Sequence, residues 1–191
     1  MTRSTQEEAQ HWNARYSQEA RSSFEEPRPF LLENAHHLPV RGLALDAAMG
    51  LGGNAGFLLQ RGLHVVGVDL SSLGVRVAKA RLPALMAVEA DLRHFHIPAD
   101  TFDVIINFFY LERSLFPIFA RALRPGGILI FETMTVEMRS LRPDIEPLFL
   151  LEPGELRQAF PSLEILSYRE GWQNRSGPHP RAVASLAAIR L

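Results

Sequence analysis

Two aspartates and a group of glycines are the residues of this chain that are best suited to ligand chemistry. Asp46 ends a short apolar run, and a turn containing Gly50, Gly52 and Gly53 follows it. Asp69 ends the next apolar run, 19 residues after Gly50. Glycines remove Cβ atoms where a ligand has to approach the backbone, and a carboxylate at this distance typically binds a ribose. The spacing therefore predicts a site for a nucleoside-bearing ligand.

The charge of Asp46 helps to choose between two such ligands. In a dinucleotide-binding loop the helix N-terminus lies under a pyrophosphate, which an acid before the loop would repel. S-adenosylmethionine has no phosphate and carries a sulfonium and an ammonium cation, so Asp46 favours it. Gly50, Gly52 and Ala55 also fit the dinucleotide spacing, which leaves a dinucleotide-dependent oxidoreductase as an alternative. A glycine-rich connection without any ligand is the third interpretation.

Composition argues against several classes of function. The 191 residues are 47% hydrophobic and contain no linker or repeat, so we expect a single domain over residues 1–191. A net charge of −1 argues against a nucleic-acid partner. The absence of cysteine excludes disulfides and thiolate chemistry, and the paired histidines lack the carboxylates that would indicate a metal site. Without a membrane-length apolar run or a signal peptide, we expect a cytoplasmic monomer or homodimer that does not bind a membrane.

Apolar runs and turn residues predict an alternation of strands and helices. Strands are expected at residues 43–47, 64–69, 85–89, 102–108, 128–132, 163–169 and 182–190. Helices are expected at 54–61, 72–81, 115–123 and 153–160. This order predicts an α/β fold with a doubly wound, mostly parallel, seven-stranded Rossmann-like sheet. The last strand is expected to be antiparallel because only a loop joins it to the strand before it.

The first 36 residues precede the predicted sheet. Residues 5–20 are expected to form a polar helix with Trp12 and Tyr16 on one face, and residues 30–36 a second, short helix. Because this segment stands outside the sheet, it is free to close over a ligand. We therefore interpret residues 1–36 as a helical lid.

Five motifs follow one another along the chain. They lie at residues 12–16, 45–55, 68–71, 90–92 and 123–127. In this order and spacing they resemble the motifs of class I methyltransferases, and more narrowly those of the small tellurite-resistance-related group. Ala48, Met49 and Gly53 replace a glycine, a cysteine and an arginine that are usual there. These departures leave open a regulatory domain that binds S-adenosylmethionine without transferring its methyl group.

The resemblance implies S-adenosylmethionine as cofactor and a set of residues that bind it. Asp46 would lie near the cofactor's ammonium group, Asp69 would accept from the ribose hydroxyls, and Asp91 would accept from the adenine amino group. Leu70 would cover the adenine. The full set implied is Asp46, Ala48, Gly50, Gly52, Asp69, Leu70, Asp91, Leu92 and Asn107.

The acceptor side is less well defined by the sequence. Tyr110 and Arg113 follow the fourth predicted strand, and His179 lies between two prolines, so these three are the candidate catalytic residues. Core packing, a helix-cap charge and a rigid surface loop are the alternatives. Glu132 and Glu170 are expected to end the fifth and sixth strands at the mouth of the pocket. The chain is short, which predicts a small-molecule acceptor, such as a soft sulfur, selenium or tellurium nucleophile.

Overall fold

The computed structural model describes residues 4–17, 25–174 and 179–191. The helices are α1 (Thr5–Ser17), α2 (Pro29–Glu33), α3 (Gly53–Gln60), α4 (Ser72–Arg81), α5 (Phe116–Ala122) and α6 (Glu155–Gln158). The strands are β1 (Leu43–Ala47), β2 (His64–Asp69), β3 (Met86–Glu89), β4 (Phe102–Phe108), β5 (Leu123–Met134), β6 (Glu164–Gln173) and β7 (Arg181–Ile189). None of the described helices has the length and apolarity needed to cross a membrane.

The seven strands form one sheet in the order β3-β2-β1-β4-β5-β7-β6. Strands β1 to β5 pair in parallel, whereas β7 runs antiparallel to β5 and β6. The predicted doubly wound sheet with an antiparallel last strand is therefore confirmed. The strand order reverses between β1 and β4, and ligands of open α/β sheets bind outside the carboxyl ends of the strands at such a point.

Both faces of the sheet are buried, which explains the continuous apolar runs of the central strands. Successive side chains of a strand point to opposite faces. Ile105 accordingly packs in the hydrophobic core on one side and Ile106 in the core on the other, and both are fully buried. On the first side the ring of Phe131 packs against Phe116 and Phe160, with ring centroids 5.7 and 6.0 Å apart. These two cores fix the ends of β1 and β4 in a rigid frame.

The fifth and sixth strands are longer than the sequence predicts. β5 begins to pair with β4 at Leu123 and stays paired with β7 as far as Met134. β6 continues to Gln173, so the prediction that Glu170 ends the sixth strand is wrong. Glu170 pairs with Ala184 within the β6–β7 ladder. An edge strand with one face in solvent tolerates polar residues. The sequence pattern instead predicts a loop for the polar residues after residue 169.

Several helices are shorter than predicted, although α4 has the predicted bounds. The helix expected at 153–160 is only Glu155–Gln158, because Gly154 has a left-handed φ of 73° that cannot continue a helix. The helix expected at 30–36 is divided at Asn34 into α2 and a 3₁₀ turn over Ala35–His37. Helix α1 ends at Ser17, and residues 18–20 of the predicted first helix lie outside the described residues.

Candidate active site

The glycine loop turns the chain from β1 into α3 by means of left-handed residues. Ala48, Gly50 and Gly52 have φ values of 57°, 56° and 79°. Within the turn, the Gly52 amide donates to the Met49 carbonyl at 3.0 Å, and the Met49 amide donates to the Val68 carbonyl of β2 at 3.0 Å. Ala48 is the position where related sequences carry glycine. A side chain there costs conformational free energy, so the loop is held by its surroundings rather than by local preference.

Asp69 holds the glycine loop and helix α4 together. Its Oδ2 accepts from the Gly50 amide and its Oδ1 from the Ser71 amide, both at 2.8 Å. Ser71 in turn caps α4 by accepting from the Gly74 amide at 3.0 Å. Burial raises the pKa of the Asp69 carboxyl, and these backbone donors lower it again. Each carboxylate oxygen can accept a second hydrogen bond, so Asp69 could still accept from ribose hydroxyls while it holds the two amides. The ribose contact stays a prediction.

Asp46 and Asn107 leave two buried hydrogen-bond acceptors at the switch point. They lie on the paired strands β1 and β4, and each is 1% exposed. Asn107 donates to the Tyr110 carbonyl at 2.7 Å. Among the described residues, neither Asp46 Oδ2 nor Asn107 Oδ1 has a hydrogen-bond partner. Buried acceptors are normally satisfied, so this pair fits a ligand that brings a donor, and above all a cation.

Burial makes Asp46 an unusual carboxyl. Desolvation and then the neighbouring charge of Asp69 raise its pKa to about 8, while the Ala55 amide lowers it. A cation bound beside it would favour the ionised form. The ammonium group of S-adenosylmethionine has this charge, and a pyrophosphate does not.

The loop glycines face different parts of the molecule. A Cβ on Gly50 would lie 3.1 Å from Tyr16 Oη. Gly50 thus faces the region between the glycine loop, α1 and the carboxyl ends of the strands, which we call the cleft. A Cβ on Gly52 would instead lie 3.1 Å from Ala78 Cβ and 3.2 Å from Leu82 Cδ1. The expectation that a side chain at Gly52 enters the ligand's path is therefore wrong, because this position faces α4.

The departures at Gly53 and Met49 also have physical reasons. The chain before α2 passes so close to Gly53 that a Cβ there would lie 2.5 Å from the Glu26 carbonyl oxygen. This position therefore has no space for the arginine that is usual in the motif. The Met49 side chain occupies the space left by Gly67 of β2, where a Cβ would lie 2.2 Å from its sulfur. Neither replacement alters the backbone of the cleft.

Helix α1 lies over the carboxyl ends of β2 and β3. Asn13 Oδ1 accepts from Ser71 Oγ at 2.6 Å and from the Leu73 amide at 3.1 Å, which ties α1 to the start of α4. Tyr16 is 5% exposed and lies against Gly50, and burial raises the pKa of its phenol. The predicted common face of Trp12 and Tyr16 is present, with ring centroids 5.6 Å apart.

The predicted adenine-binding residues lie beneath this helix. Asp91 accepts from Arg93 Nε at 2.9 Å and from Thr5 Oγ1 at 3.1 Å, and these bonds, with that of Arg93 foremost, hold the pKa of its carboxyl below the usual value. Leu92 is buried and Leu70 half-buried. These side chains thus lie at the carboxyl edge of the sheet, where a ligand is expected. Their contact with adenine stays a prediction.

The three candidate catalytic residues have different surroundings. Tyr110 is half-buried, and burial raises the pKa of its phenol. Arg113 binds both oxygens of Glu155, at 2.6 and 2.9 Å, and the carbonyls of residues 148 and 150, so its guanidinium stabilises the packing of α6. His179 is exposed and has a left-handed φ of 62°. Most of its loop, residues 175–178, lies outside the described residues.

One group of residues near the cleft is not evident from the sequence. Phe109 directly follows β4 with a φ of 58°. The guanidinium carbons of Arg28 and Arg181 lie 4.9 and 5.1 Å from the centroid of its ring. Three distant parts of the chain supply these residues, and no local spacing relates them.

Comparisons with known proteins agree with this geometry. A family model described as a methyltransferase domain matches residues 44–127, which include the glycine loop, Asp69 and Asn107. The phthiotriol/phenolphthiotriol dimycocerosates methyltransferase of Mycobacterium leprae is 32% identical over 139 residues, which are 66% of this chain and 46% of the relative. The chain thus spans less than half the length of that curated relative.

Solved structures of low sequence identity share the fold. TehB from Haemophilus influenzae superimposes with a TM-score of 0.73 at 16% identity, over 96% of this chain and 67% of that chain. Geranyl diphosphate C-methyltransferase from Streptomyces coelicolor has a TM-score of 0.71 at 15% identity, over 98% and 97%. It was solved with Mg²⁺, geranyl diphosphate and S-adenosyl-L-homocysteine.

These matches confirm the resemblance to class I methyltransferases and the methyltransferase domain predicted from the motifs. The TehB structure shares the fold of this chain. The predicted cofactor agrees with a structural neighbour that holds its demethylated form.

The glycine loop yields a direct test of packing. Gly52 and Gly126 have nearly equal φ values of 79° and 80°, but only Gly52 has neighbours where a Cβ would lie. Gly126→Ala should cost about 1–2 kcal/mol of unfolding free energy through its backbone conformation. Gly52→Ala should cost about 1–3 kcal/mol more because its methyl group meets Ala78 and Leu82. Urea unfolding of both variants measures the difference, and equal losses would contradict the assigned contacts.

Proposed function

We propose that the protein transfers a methyl group from S-adenosylmethionine to a small-molecule acceptor. The observation that carries the proposal is the pair of unpartnered buried acceptors, Asp46 Oδ2 and Asn107 Oδ1, beside the glycine loop. An ammonium group would satisfy Asp46 Oδ2, whereas the phosphates of a dinucleotide would be repelled. The chemistry of these residues therefore fits the cofactor that the sequence motifs imply.

Each part of the cleft has a part of the cofactor to bind. Asp46 would take the ammonium group, and Asp69 the ribose hydroxyls in addition to the two amides it already holds. Leu70 and Asp91 would lie beside the adenine. The backbone from Ala48 to Gly50 would line the middle of the cleft once α1 has moved the Tyr16 phenol away from Gly50.

The protein's own contribution to the reaction is alignment and exclusion of water. When bound, the sulfonium of S-adenosylmethionine supplies a methyl group that is already activated for transfer. The protein then has to hold the acceptor in line and keep water away. The two cores fix the ends of β1 and β4, and α1 with the buried Tyr16 shields the carboxyl ends of the strands. A soft acceptor needs no general base.

We propose that residues 1–36 act as a lid, of which α1 is the moving part. Tyr16 lies where a ligand must pass over Gly50, so α1 has to shift for the cofactor to enter or leave. Its polar anchors are the hydrogen bonds of Asn13 to the start of α4, the ion pair of Glu8 with Arg93 and the hydrogen bond of Thr5 to Asp91. These are exposed or half-buried polar contacts, which break at lower cost than a packed core.

The size and softness of the acceptor are further parts of the proposal. The described chain adds only short 3₁₀ turns and α6 between β5 and β6, which favours a small acceptor. A sulfur, selenium or tellurium nucleophile follows from the resemblance of the five sequence motifs to the tellurite-resistance-related group. A solved structure with a TM-score of 0.72 at 21% identity, over 95% of this chain and 91% of that chain, is described by the conversion of a disulfide bond into a thioacetal during echinomycin biosynthesis.

Two measurements test the proposal. Calorimetric titration should detect binding of S-adenosylhomocysteine and no binding of NADH, and the reverse result would favour the dinucleotide enzyme. Incubation with methyl-labelled S-adenosylmethionine and a panel of thiols, selenite and tellurite should then give a labelled product. Cofactor binding without transfer to any acceptor would favour a regulatory domain.

Asp46 should make cofactor binding dependent on pH. Its raised pKa of about 8 means that the carboxyl of the free protein is largely protonated at pH 7, and a bound ammonium group requires the ionised form. The affinity for S-adenosylhomocysteine should therefore rise by up to about tenfold per pH unit between pH 6.5 and 8. Calorimetry at several pH values measures this rise, and Asp46→Asn should abolish it.

The same carboxyl affects folding stability with the opposite sign. Because the folded pKa is raised, the stability that Asp46 contributes is complete below its unfolded pKa of about 4 and is lost as pH rises through 8. Asp46→Asn should flatten that part of the stability curve, as read by urea unfolding. Unchanged pH profiles of both binding and stability in the variant would contradict the assigned environment of Asp46.

The lid can be loosened without touching the cleft. Asn13→Ala removes two hydrogen bonds between α1 and α4, so S-adenosylhomocysteine should dissociate about fivefold to tenfold faster. Ser17→Ala is the matched control, because its hydroxyl bonds only within α1, to the Ala14 carbonyl. Stopped-flow displacement measures both rates. Equal rates in the two variants would show that α1 does not gate the cofactor.

A further inference from the structure

We propose that the methyl acceptor carries an anionic oxygen group, which Arg28 and Arg181 bind beside Phe109. This inference rests on the proposed methyl transfer and adds the chemical class of its acceptor. The three residues come from the segment before α2, the start of β7 and the end of β4. They converge at the carboxyl edge of the sheet, two residues beyond Asn107.

Phe109 is held in an unfavourable conformation at this position. Its φ of 58° lies in the left-handed region, which costs a bulky residue conformational free energy. The Phe109 amide donates to the Glu132 carbonyl at 2.8 Å, and this bond fixes the turn after β4. The half-buried ring is in contact with two cations. Guanidinium groups at 4.9 and 5.1 Å from its centroid are within the range of a cation–π contact.

Neither guanidinium has a carboxylate partner in the described part of the chain. The Arg28 amide donates to Asn54 Oδ1 at 2.9 Å, but no ion pair and no hydrogen bond joins the guanidinium group of Arg28 or Arg181 to another described residue. Other arginines of the molecule are paired, for example Arg113 with Glu155 at 2.6 Å and Arg169 with Glu33 at 2.7 Å. What distinguishes Arg28 and Arg181 is that two half-buried guanidinium groups lie against the same ring.

The surrounding charges leave this group positive. Burial and the charge of Arg181 lower the pKa of Arg28, while Glu132 raises it. Glu132 is 3% exposed, and its Oε2 already accepts from Ser185 at 2.6 Å and from Gln173 at 3.3 Å. One buried carboxylate that already accepts from other donors does not neutralise two guanidinium groups. An anion bound between them would relieve their repulsion.

The chemistry of arginine selects the ligand. A guanidinium presents a planar set of donors that matches a carboxylate or another oxyanion in a bidentate manner. An acceptor held here would be near both Asn107 and the lid. The ring of Phe109 would pack against the apolar part of such a molecule.

Two probes that differ in charge test the inference. Mercaptoacetate and mercaptoethanol are both small thiols, but only the first carries a carboxylate. In methyl transfer by the intact protein, kcat/KM for mercaptoacetate should exceed that for mercaptoethanol by about tenfold or more. Arg28→Gln and Arg181→Gln should each reduce this ratio strongly. Arg142→Gln, on an exposed arginine paired with Asp144, is the control and should retain it.

A binding measurement keeps the inference testable if thiols are not methylated. Mercaptoacetate and inorganic phosphate are each titrated into protein saturated with S-adenosylhomocysteine, and the shifts of the arginine Nε–H signals are followed by NMR. Binding of either anion that weakens about tenfold in Arg28→Gln and in Arg181→Gln supports the site and shows which anion it prefers. Arg181→Lys keeps the positive charge and should retain part of the anion affinity. This variant controls for the possibility that the Gln variants lose binding because they fail to fold.

The outcomes separate this inference from the proposed function. Binding of S-adenosylhomocysteine together with equal kcat/KM for the two thiols, or anion affinities that are the same in all variants, would overturn the anionic acceptor and leave methyl transfer in place. Failure to bind S-adenosylhomocysteine would overturn the proposed function, and anion titration of the free protein would still decide the arginine site.

Discussion

The carboxylate of Asp69 is the contact on which the arrangement of the cleft depends. One oxygen fixes the Gly50 amide of the glycine loop, and the other fixes the Ser71 amide at the start of α4. Through Ser71 the connection continues to Asn13 of α1. A single buried acid thus sets the loop, the neighbouring helix and the lid relative to one another. Its negative charge also raises the pKa of Asp46, so the structural contact shapes the electrostatics of the site.

The cleft has two electrostatic halves. Around the ends of β1 and β2, the buried acids Asp46 and Asp69 favour a cation and hydroxyl donors. Around the ends of β4, β5 and β7, Arg28 and Arg181 favour an anion. The predicted cofactor is cationic at its methionine end, and the inferred acceptor is anionic. This division orients two ligands toward each other at the switch point of the sheet, where Asn107 lies between the halves.

The sequence predicted the fold and the acidic half of the cleft well, because those signals are local. Asp46, Gly50 and Asp69 lie on one strand–turn–helix–strand unit with regular spacing, and the family model covers the same region. Strand lengths were less predictable, since β6 is an edge strand whose polar residues resemble a loop. The direction in which Gly52 faces depends on the packing of α4, which no spacing within the loop reveals.

The cationic half could not be predicted for a different reason. Arg28, Phe109 and Arg181 meet only because β7 inserts between β5 and β6 and the segment before α2 crosses the glycine loop. The left-handed backbone of Phe109 has no signal in its sequence, since this conformation favours glycine and asparagine. The predicted role of Arg113 was based on proximity along the chain, whereas its guanidinium binds Glu155 of α6.

The most direct test of this account is a crystal structure of the protein with S-adenosylhomocysteine. The account predicts that the ligand's ammonium nitrogen lies within hydrogen-bonding distance, about 2.7–3.2 Å, of Asp46 Oδ2 or Asn107 Oδ1, directly or through one water molecule. The ribose hydroxyls should lie at Asp69. A ligand that leaves both buried acceptors unpartnered, or one bound away from the glycine loop, would contradict it.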